Sequence, residues 1–421
     1  LDLLEKNLNN LLKKLKQKWW GVKLFLARFF YGNPAGKLKI VGVTGTNGKT
    51  TTATLLYRIT KELGYKVGLV STVEILIDGQ KLDLSKYKIP STTPDSVTLT
   101  KIFREMVKAG CEYVFMEVSS HAMDQKRVAG IKFAGGIFTN LTQDHLDYHK
   151  SMHSYFLAKR EFFKILPKDA FALANDDDEY AEAMTANIDA KQYFFGLSKT
   201  SDFQGEIKKI DFSGIELVCN GETIKSKLLG RFNAYNILGV WGACKLLGFD
   251  MEKVKKAIET VEAPTGRFEY FISKNGVVVV VDYAHSPDAV EKIIQAVSEV
   301  KPKDGKIITV LGCGGDRDPL KRRIMGKIAT KLSDMAILTS DNPRSEDPIK
   351  IIDEMKVDLS IRDLEKVKVF ADRREAIEES IKIAKRNDVI ICAGKGHETY
   401  QEIKGVKHHF NDMEEYKKII S

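Results

Sequence analysis

One segment constrains the fold of this chain more than any other, the run Gly45-Thr46-Asn47-Gly48-Lys49-Thr50-Thr51. It lies between a strand predicted over 38–43 and a helix predicted over 48–63. Glycines allow a tight turn whose backbone N–H groups, with the following helix N-terminus, bind phosphate. Lys49 can then reach the β- and γ-phosphates, and the Thr50 hydroxyl can ligate Mg²⁺. We therefore predict a phosphate-binding loop, in a variant form because Val43 stands where the strict pattern has glycine.

Strands and helices continue to alternate along the chain, which predicts an α/β fold with a mostly parallel, doubly wound sheet. The residues at 203–229 differ, because short strands around Ser213-Gly214 and Asn220-Gly221 predict hairpins beside that sheet. The other strands are predicted at 66–70, 113–118, 136–139, 171–174, 277–281, 307–311, 335–338, 367–370 and 389–392.

Three segments are expected. Residues 1–37 form an N-terminal amphipathic helical segment, 38–264 a central ATP-binding domain, and 265–421 a smaller C-terminal Rossmann-like domain. The boundary is placed at a hinge over 262–266, which contains Pro264. A ligand cleft between two such domains is the usual expectation.

The N-terminal segment has leucines at helical spacing with lysines on the other face, followed by Trp19 and Trp20. We favour a helix packed on protein over a helix lying on an anionic membrane, although membrane contact through residues 1–30 stays open. A liposome assay with and without residues 1–30 separates the two, since equal binding would exclude the membrane interpretation.

Composition excludes several classes of protein. A hydrophobic content of 43% supports real cores, and the apolar runs are too short to span a bilayer. The five cysteines are scattered, which is typical of free thiols in a cytoplasmic protein. The net charge of +9 fits anionic small ligands, and no nucleic-acid-binding motif is present.

Nine segments, in order from about residue 38 to 401, resemble the Mur ligase family and its MurE-type branch. They are GTNGKTT at 45–51, MEVSSH at 116–121, TNLTQDHLD at 139–147, GRFNAYN at 230–236, GRFE at 266–269, DYAH at 282–285, GGDRD at 314–318, DNPR at 341–344 and GKGHE at 394–398. A single such motif would be weak evidence, whereas nine in the family's order are highly specific.

The resemblance implies a peptidoglycan precursor ligase. Such enzymes phosphorylate the D-Glu carboxylate of UDP-MurNAc-L-Ala-D-Glu with ATP, and the amine of meso-diaminopimelate attacks the acyl phosphate. The implied cofactors are ATP and Mg²⁺, expected as two ions, with Mn²⁺ as an alternative. The implied partners are small molecules, with no nucleic acid, and the protein is expected to be a monomer.

The resemblance also assigns roles to individual residues. The catalytic set is Lys49, Glu117, His145 and Lys159, and the metal ligands are Thr50, Glu117, His145 and Lys159 as a carbamate. ATP is assigned to the loop residues 45–51 and to Asn233, Asn236, Arg267 and Asp282. The muramyl peptide is assigned to Ser91, Thr92, Thr93, Ser119, Gln125 and Arg127. The incoming amino acid is assigned to Arg317, Asp341, Asn342, Pro343, Arg344, Gly394 and Glu398.

Without the resemblance, several of these residues have ordinary interpretations. Lys159 would be a solvated helix lysine, Arg267 part of a salt bridge, and residues 91–95 a turn and helix cap. Glu117 and His145 follow predicted strands, at the sheet edge where α/β proteins bind ligands, which favours a functional role.

Arg344 favours meso-diaminopimelate over lysine, because lysine lacks the distal carboxylate and would leave a buried arginine unpaired. A lysine-adding ligase, or one with a different and even lipid-linked acceptor, is the alternative. That alternative matters because the family's N-terminal UDP-binding domain has no counterpart in the short segment before residue 38. The chain is therefore either a short form or one from which that domain was removed. A folate-type ligase, a metabolite kinase and a silent nucleotide-binding protein are the other rivals.

Overall fold

The computed structural model describes residues 32–83, 92–198 and 201–420. The predicted N-terminal helix over 1–30 lies outside these ranges, and Pro34–Lys37 form one 3-10 turn. Two compact units are present. The first comprises residues up to Glu206, Leu217–Lys225 and Tyr235–Val261, and the second comprises Ile207–Glu216, Ser226–Ala234 and the chain from Glu262 onward. No helix within the described ranges is long and apolar enough to cross a bilayer.

An eleven-stranded sheet has the order β11-β10-β9-β8-β7-β6-β1-β5-β2-β3-β4, and its strands β1 to β8 lie in the first unit. Its strands are β1 (Lys39–Thr44), β2 (Val67–Val70), β3 (Ile75–Ile77), β4 (Gln80–Lys81), β5 (Tyr113–Glu117), β6 (Phe133–Phe138), β7 (Phe171–Asn175), β8 (Lys191–Gly196), β9 (Phe203–Asp211), β10 (Gly214–Cys219) and β11 (Glu222–Ser226). Its central strand β1 pairs in parallel with both β5 and β6. The carboxyl ends of these three strands therefore meet at one edge.

The helices from Lys49 to Thr260 follow the strands in alternation. They are α1 (Lys49–Glu62), α2 (Ser96–Lys108), α3 (Ser120–Asp124), α4 (Leu146–His149), α5 (Met152–Lys164), α6 (Ala181–Thr185), α7 (Arg231–Leu246) and α8 (Met251–Thr260). Helix α2 begins where Asp95 accepts hydrogen bonds from the backbone N–H groups of Val97 and Thr98. This confirms the predicted cap, because an aspartate side chain satisfies N–H groups that the first turn leaves unpaired.

Helix α5 lies close to the sheet because two strands present glycines to it. A Cβ atom on Gly42 of β1 would lie 2.5 Å from the Phe162 ring, and one on Gly136 of β6 would lie 2.9 Å from it. Phe162 is fully buried at this contact. The same close approach brings Lys159, one helical turn earlier, to the carboxyl end of β1.

The second unit contains a six-stranded sheet in the order β12-β13-β17-β14-β15-β16 and a separate hairpin, β18-β19. Its elements are β12 (Glu269–Ile272), β13 (Val278–Asp282), α9 (Pro287–Val300), β14 (Ile307–Cys313), α10 (Leu320–Leu332), β15 (Met335–Ser340), α11 (Pro348–Lys356), α12 (Ile361–Leu364), β16 (Val367–Phe370), α13 (Arg373–Ile383), β17 (Val389–Ala393), β18 (Tyr400–Ile403), β19 (Val406–His409) and α14 (Asp412–Ile420). All pairs are parallel in this sheet except β12 with β13.

Apolar strands in the second sheet are buried on both faces. Val278 and Val280 of β13 pack in one core cluster, while Val279 and Val281 pack in the cluster on the other face. Near-continuous apolar runs are typical of parallel strands covered on both sides. The predicted α/β class is confirmed, and the predicted strands lie within a few residues of the observed ones.

A fully buried ion pair joins α13 to α14 in the second unit. Arg373 donates from Nε to Asp412 Oδ1 at 2.7 Å and from Nη2 to Oδ2 at 2.8 Å. Both side chains have no exposed surface. Nη2 also donates to the carbonyl of Ala393, where β17 ends.

Removing one partner of this pair would leave an uncompensated buried charge. We expect Asp412→Ala to destabilise the second unit by about 3–5 kcal/mol. Arg374→Met is the matched control, because Arg374 pairs with Glu415 but is half exposed, and it should cost no more than about 1 kcal/mol. Hydrogen exchange of the β13–β17 amides measures both. Equal protection in the two variants would contradict the expectation.

Candidate active site

The predicted phosphate loop connects β1 to α1 at the carboxyl edge of the first sheet. Gly48 caps α1 with a φ of +83°, in the left-handed region, and Gly45 has a φ of +152°. Glycine reaches such conformations at little cost, which explains both positions. Lys49 Nζ donates to the carbonyl oxygens of Gly45 at 2.9 Å and Thr46 at 2.7 Å. Its ammonium is therefore held over the loop at the start of the helix.

The residues that follow β6 hold this loop through hydrogen bonds. Asn140 Oδ1 accepts from the backbone N–H of Asn47 at 2.9 Å, and Thr139 Oγ1 donates to the Asn47 carbonyl at 2.6 Å. Thr46 Oγ1 accepts from the backbone N–H of Thr142 at 3.0 Å. The TNLT segment thus fixes the loop conformation, a role that the sequence alone did not reveal.

Gly45 has no room for a side chain. A Cβ atom there would lie 1.9 Å from Thr139 Oγ1. We expect Gly45→Ala to distort the loop and to weaken ATP binding by about 10-fold or more, because one or two lost charge-assisted phosphate contacts have that effect. Gly64→Ala is the control. Gly64 also has a positive φ, +94°, but its Cβ would meet open space, so only a backbone cost of about 1–2 kcal/mol is expected. Titration with a fluorescent ATP analogue tests both, and equal affinities would contradict the steric argument.

Glu117 ends β5 beside the loop and is 1% exposed. Its Oε1 accepts from Thr50 Oγ1 at 2.9 Å and from the backbone N–H of Thr72 at 2.7 Å. The Thr72 hydroxyl donates to Oε2 at 3.1 Å. The structure thus brings together Thr50 and Glu117, two predicted metal ligands, and adds Thr72, which follows β2 and was not predicted.

Lys159 projects from α5 into the same edge and is 1% exposed. Its Nζ donates to the carbonyl of Gly45 at 2.6 Å, so it shares that acceptor with Lys49. Burial lowers the pKa of Lys159 well below its usual value, and the charge of Lys49 lowers it further. The Lys159 ammonium nitrogen lies 4.6 Å from the centroid of the Tyr155 ring. The interpretation of Lys159 as a solvated lysine is wrong.

His145 has a φ of +54° and follows the TNLTQD segment. Although 47% of the side chain is exposed, desolvation by the surrounding residues lowers the pKa of His145 to about 4. The imidazole is therefore neutral near pH 7 and keeps a nitrogen lone pair for a ligand. Its ring packs edge-on against His121 at a centroid distance of 5.0 Å and against Tyr155 at 6.1 Å. Across the described ranges, no three His, Cys, Asp or Glu side chains cluster as a metal site. The predicted set relies on a threonine and a lysine as well.

Five of the six residues predicted to hold the muramyl peptide are connected by contacts, one of them through Thr72 and Glu117. Thr93 Oγ1 donates to the Glu117 carbonyl at 2.9 Å and accepts from the backbone N–H of Ser119 at 3.1 Å. Arg127 donates to the Thr93 carbonyl at 2.6 Å and to Gln125 Oε1 at 2.6 Å. Thr92 Oγ1 lies 3.1 Å from the Thr72 hydroxyl oxygen, which links it to Glu117. Ser91 lies outside the described residues.

Asn236, predicted to bind ATP, lies against the phosphate loop. Its Oδ1 accepts from Thr52 Oγ1 at 3.3 Å, and a Cβ on Gly48 would lie 2.6 Å from it. Asn233 instead donates to the Leu229 carbonyl at 2.8 Å, within the second unit. Asn233 thus holds the start of α7 in this structure.

Arg267 lies just before β12, and Asp282 is the last residue of β13, the strand that pairs with β12. Asp282 accepts from the backbone N–H of Phe268 at 2.7 Å, and the Arg267 guanidinium lies 4.9 Å from the Tyr283 ring centroid. Burial raises the pKa of Asp282, and the charge of Arg267 opposes that rise. The two residues were predicted together and are neighbours.

The residues predicted to recognise an amino acid gather at the carboxyl ends of β15 and β17. Asn342 Nδ2 donates to Glu398 Oε2 at 2.8 Å. Lys395, fully buried, lies 3.1 Å from Glu398 Oε2 and 3.5 Å from Asp341 Oδ1. Burial raises the pKa of Asp341, and Lys395 opposes the rise. Lys395 is not among the residues predicted to bind the amino acid. Its position between the two glycines of the GKGHE segment is the sequence feature that could have indicated a role.

The predicted arginines lie on two neighbouring loops of the second unit. Arg344 has a φ of +49° and donates from Nη1 to the Gly315 carbonyl at 2.6 Å. Arg317, on the loop after β14, is exposed. The Pro343 carbonyl oxygen lies against Gly315, and a Cβ atom added to Gly315 would be 2.0 Å from it. A Cβ atom added to Gly394 would be 2.9 Å from Asp341 Oδ2.

Known proteins resemble this chain in sequence and fold. The model for the Mur ligase middle domain matches residues 43–244, and that for the Mur ligase glutamate ligase domain matches 266–396. The UDP-N-acetylmuramoyl-L-alanyl-D-glutamate–2,6-diaminopimelate ligase of Bacteroides thetaiotaomicron is 50% identical over 94% of this chain and 81% of its own length.

Solved structures agree with the sequence comparison. A structure of a ligase with that same name superposes with a TM-score of 0.63 at 31% identity, covering 91% of this chain and 78% of that one. Folylpolyglutamate synthase of Mycobacterium tuberculosis, solved with ADP and AMPPCP, superposes with a TM-score of 0.72, covering 89% and 92%, but at 17% identity it shows the fold alone. With half of its residues identical to a curated relative over nearly its whole length, this chain belongs to the Mur ligase family.

Proposed function

We propose that the protein is an ATP-dependent amide ligase of peptidoglycan precursor synthesis. It joins meso-diaminopimelate to the D-Glu carboxylate of UDP-MurNAc-L-Ala-D-Glu. The observation that carries the proposal is 50% identity to ligases named for that reaction over 94% of the chain. The phosphate loop with Glu117 hydrogen-bonded to Thr50 at its side supports it.

Two transfers account for the reaction. A carboxylate oxygen of the acceptor attacks the γ-phosphorus of ATP, the bond to the ADP oxygen breaks, and an acyl phosphate forms. The neutral amine of the incoming amino acid then attacks the acyl carbon, the carbon–oxygen bond to phosphate breaks, and the amine loses a proton. Lys49 would stabilise the negative charge on the β- and γ-phosphates, since phosphoryl transfer depends mainly on positioning and charge neutralisation.

The donor set beside the loop fits magnesium. A threonine hydroxyl and a carboxylate are hydrogen-bonded to each other at 2.9 Å at the sheet edge, and oxygen donors are those that Mg²⁺ prefers. Thr50, Glu117, His145 and Lys159 as a carbamate would hold two ions. When bound, Mg²⁺ supplies positive charge against the phosphate oxygens.

Lys159 is proposed to carry the carbamate. Two lysine ammonium groups share the Gly45 carbonyl, and Lys159 is buried, so a second cation there is unfavourable. Conversion of Lys159 to an anion would remove that repulsion and provide oxygen ligands.

The remaining assignments divide the substrates between the two predicted domains. Residues 38–264 would bind ATP and, through Thr92, Thr93, Ser119, Gln125 and Arg127, the muramyl peptide. Residues 265–421 would bind the amino acid, with Glu398 and Asp341 facing its ammonium and Arg317 and Arg344 its distal carboxylate. We propose a monomer that works in the cytoplasm on small-molecule substrates.

An isotope experiment tests this chemistry. The acceptor is prepared with ¹⁸O in its D-Glu carboxylate and incubated with ATP and meso-diaminopimelate. We expect one labelled oxygen to appear in the released phosphate, detected by mass spectrometry, together with the tripeptide product. Product formation with unlabelled phosphate would exclude the acyl phosphate, and absence of product would exclude the proposed ligase reaction.

A further inference from the structure

We propose that Glu346 and Arg322 are positioning residues that hold together the loops bearing Arg317 and Arg344. In this way they set the preference for an incoming amino acid with a distal carboxylate. The inference rests on the proposed function and adds a source for its specificity. The two loops are named here the β14 loop (314–319) and the β15 loop (341–347).

The two loops are joined directly along their length. The backbone N–H of Gly315 donates to the Asn342 carbonyl at 2.9 Å, and Ser345 Oγ donates to Asp316 Oδ1 at 2.6 Å. Arg344 Nη1 also donates to the Gly315 carbonyl, and the Ser345 backbone N–H donates to Asp316 Oδ2 at 3.3 Å. A shift of one loop therefore moves the other.

Arg322 of α10 lies beneath this junction and is 1% exposed. Its Nη1 and Nη2 donate to the two carboxylate oxygens of Glu346, both at 2.8 Å, and Nη2 also donates to the Gly314 carbonyl at 3.1 Å. Paired guanidinium–carboxylate contacts of this kind are strong and geometrically specific. One arginine thus holds the start of the β14 loop and the end of the β15 loop.

Glu346 completes the connection from the other side. Its Oε1 accepts both from Arg322 and from the backbone N–H of Asp316, the latter at 2.5 Å. Arg322 and the Asp316 N–H hold the pKa of Glu346 down at about 2, so this carboxylate stays charged at any assay pH. Asp316 immediately precedes Arg317, so the backbone that presents Arg317 is fixed by Glu346.

The consequence concerns selectivity. Two guanidinium groups recognise one carboxylate well only when their spacing is fixed before binding, because ordering them on binding costs affinity. Loosening the loops should weaken binding of the distal carboxylate and leave ATP binding unchanged. Lysine, which has no distal carboxylate, should be affected less than meso-diaminopimelate.

The chain offers a matched control in Glu354. It also pairs with Arg322, at 2.7 Å, but it lies on α11 and belongs to neither loop. Glu346→Gln and Glu354→Gln each remove one negative charge from the same arginine at nearly constant volume. Only the first replaces a carboxylate oxygen that serves Arg322 and Asp316 together.

Steady-state kinetics with each variant test the proposal. For Glu346→Gln we expect KM for meso-diaminopimelate to rise about 10-fold or more, KM for ATP to stay unchanged, and the kcat/KM ratio of meso-diaminopimelate to lysine to fall by about 10-fold, as loss of one well-placed polar contact does. Glu354→Gln should stay within about 2-fold of the parent. Equal effects of the two variants, or a change in thermal stability without a change in KM, would overturn the proposal.

A second variant tests the same proposal if Glu346→Gln does not fold. Ser345→Ala removes the hydrogen bond from Ser345 Oγ to Asp316 Oδ1 but keeps the one from the Ser345 backbone N–H to Oδ2, and it does not touch the buried charges. It should raise KM for meso-diaminopimelate in the same direction by a smaller factor, and an unchanged KM would count against the proposal. A parent enzyme that ligates no diaminopimelate would instead refute the proposed function, so the two failures are distinct.

Discussion

Replacement of Lys49 by methionine is expected to lower kcat for ATP-driven ligation by about 10²–10³-fold, the usual effect of removing one preorganised charge partner of a transition state. The Lys49 ammonium is held by the Gly45 and Thr46 carbonyls at the start of α1. Methionine keeps the length and apolar stem of the side chain but removes the charge. Phosphate release with all three substrates present is the measurement.

Lys61→Met provides the control for that experiment. Lys61 is on the same helix, is exposed, and pairs with Asp78 at 3.4 Å, so its replacement should leave kcat within about 2-fold. A Lys49→Met enzyme with parental activity would show that the loop does not act on the transferred phosphoryl group.

Replacement of Lys159 by methionine is expected to lower kcat by about 10²-fold or more. The side chain is buried at the loop, and its charge is unfavourable there beside Lys49. If Lys159 is carbamylated, ¹³C-bicarbonate should give the parent enzyme a carbamate carbonyl signal by NMR, and the variant should lack it.

Lys164→Met is the matched variant for Lys159. Lys164 lies on the same helix, α5, but is exposed and pairs with Glu161 at 2.6 Å. It should keep both the carbamate signal and the activity. A parent enzyme without the signal, yet active after removal of carbon dioxide, would exclude the carbamate and leave Lys159 as an amine that supports the loop.

The sequence predicted the fold because its strongest signals were local. Strands β13, β14 and β17 of the second sheet are continuous apolar runs, and the phosphate loop lies between a strand and a helix, so both were predictable without tertiary information. Strand β12 of the same sheet was not predicted, because it is short and only partly buried. The β3–β4 hairpin was missed because its strands have three and two residues. Strand β8 was missed because its first residues, Lys191 and Gln192, are exposed and polar.

The sequence predicted less of the site, because its supporting contacts join residues far apart in the chain. Thr72 reaches Glu117 across 45 positions, and Lys159 reaches Gly45 across 114. Tyr155, Phe162 and Phe163 lie at helical spacing from Lys159 and place it on the buried face of α5. Its approach to Gly45 was not readable from these neighbours, because it depends on Gly42 and Gly136, which admit Phe162. Likewise Arg322 resembles any other basic residue of α10 until Glu346 and Gly314 are placed beside it.

The most direct test of the central claim measures phosphate release from ATP with UDP-MurNAc-L-Ala-D-Glu present and with meso-diaminopimelate, lysine or no amino acid added. The account predicts release stimulated by meso-diaminopimelate, with a product heavier by that residue. Release stimulated only by lysine would keep the ligase but contradict the role given to Arg317 and Arg344. Release that needs the acceptor but no amino acid would indicate a kinase and contradict the account.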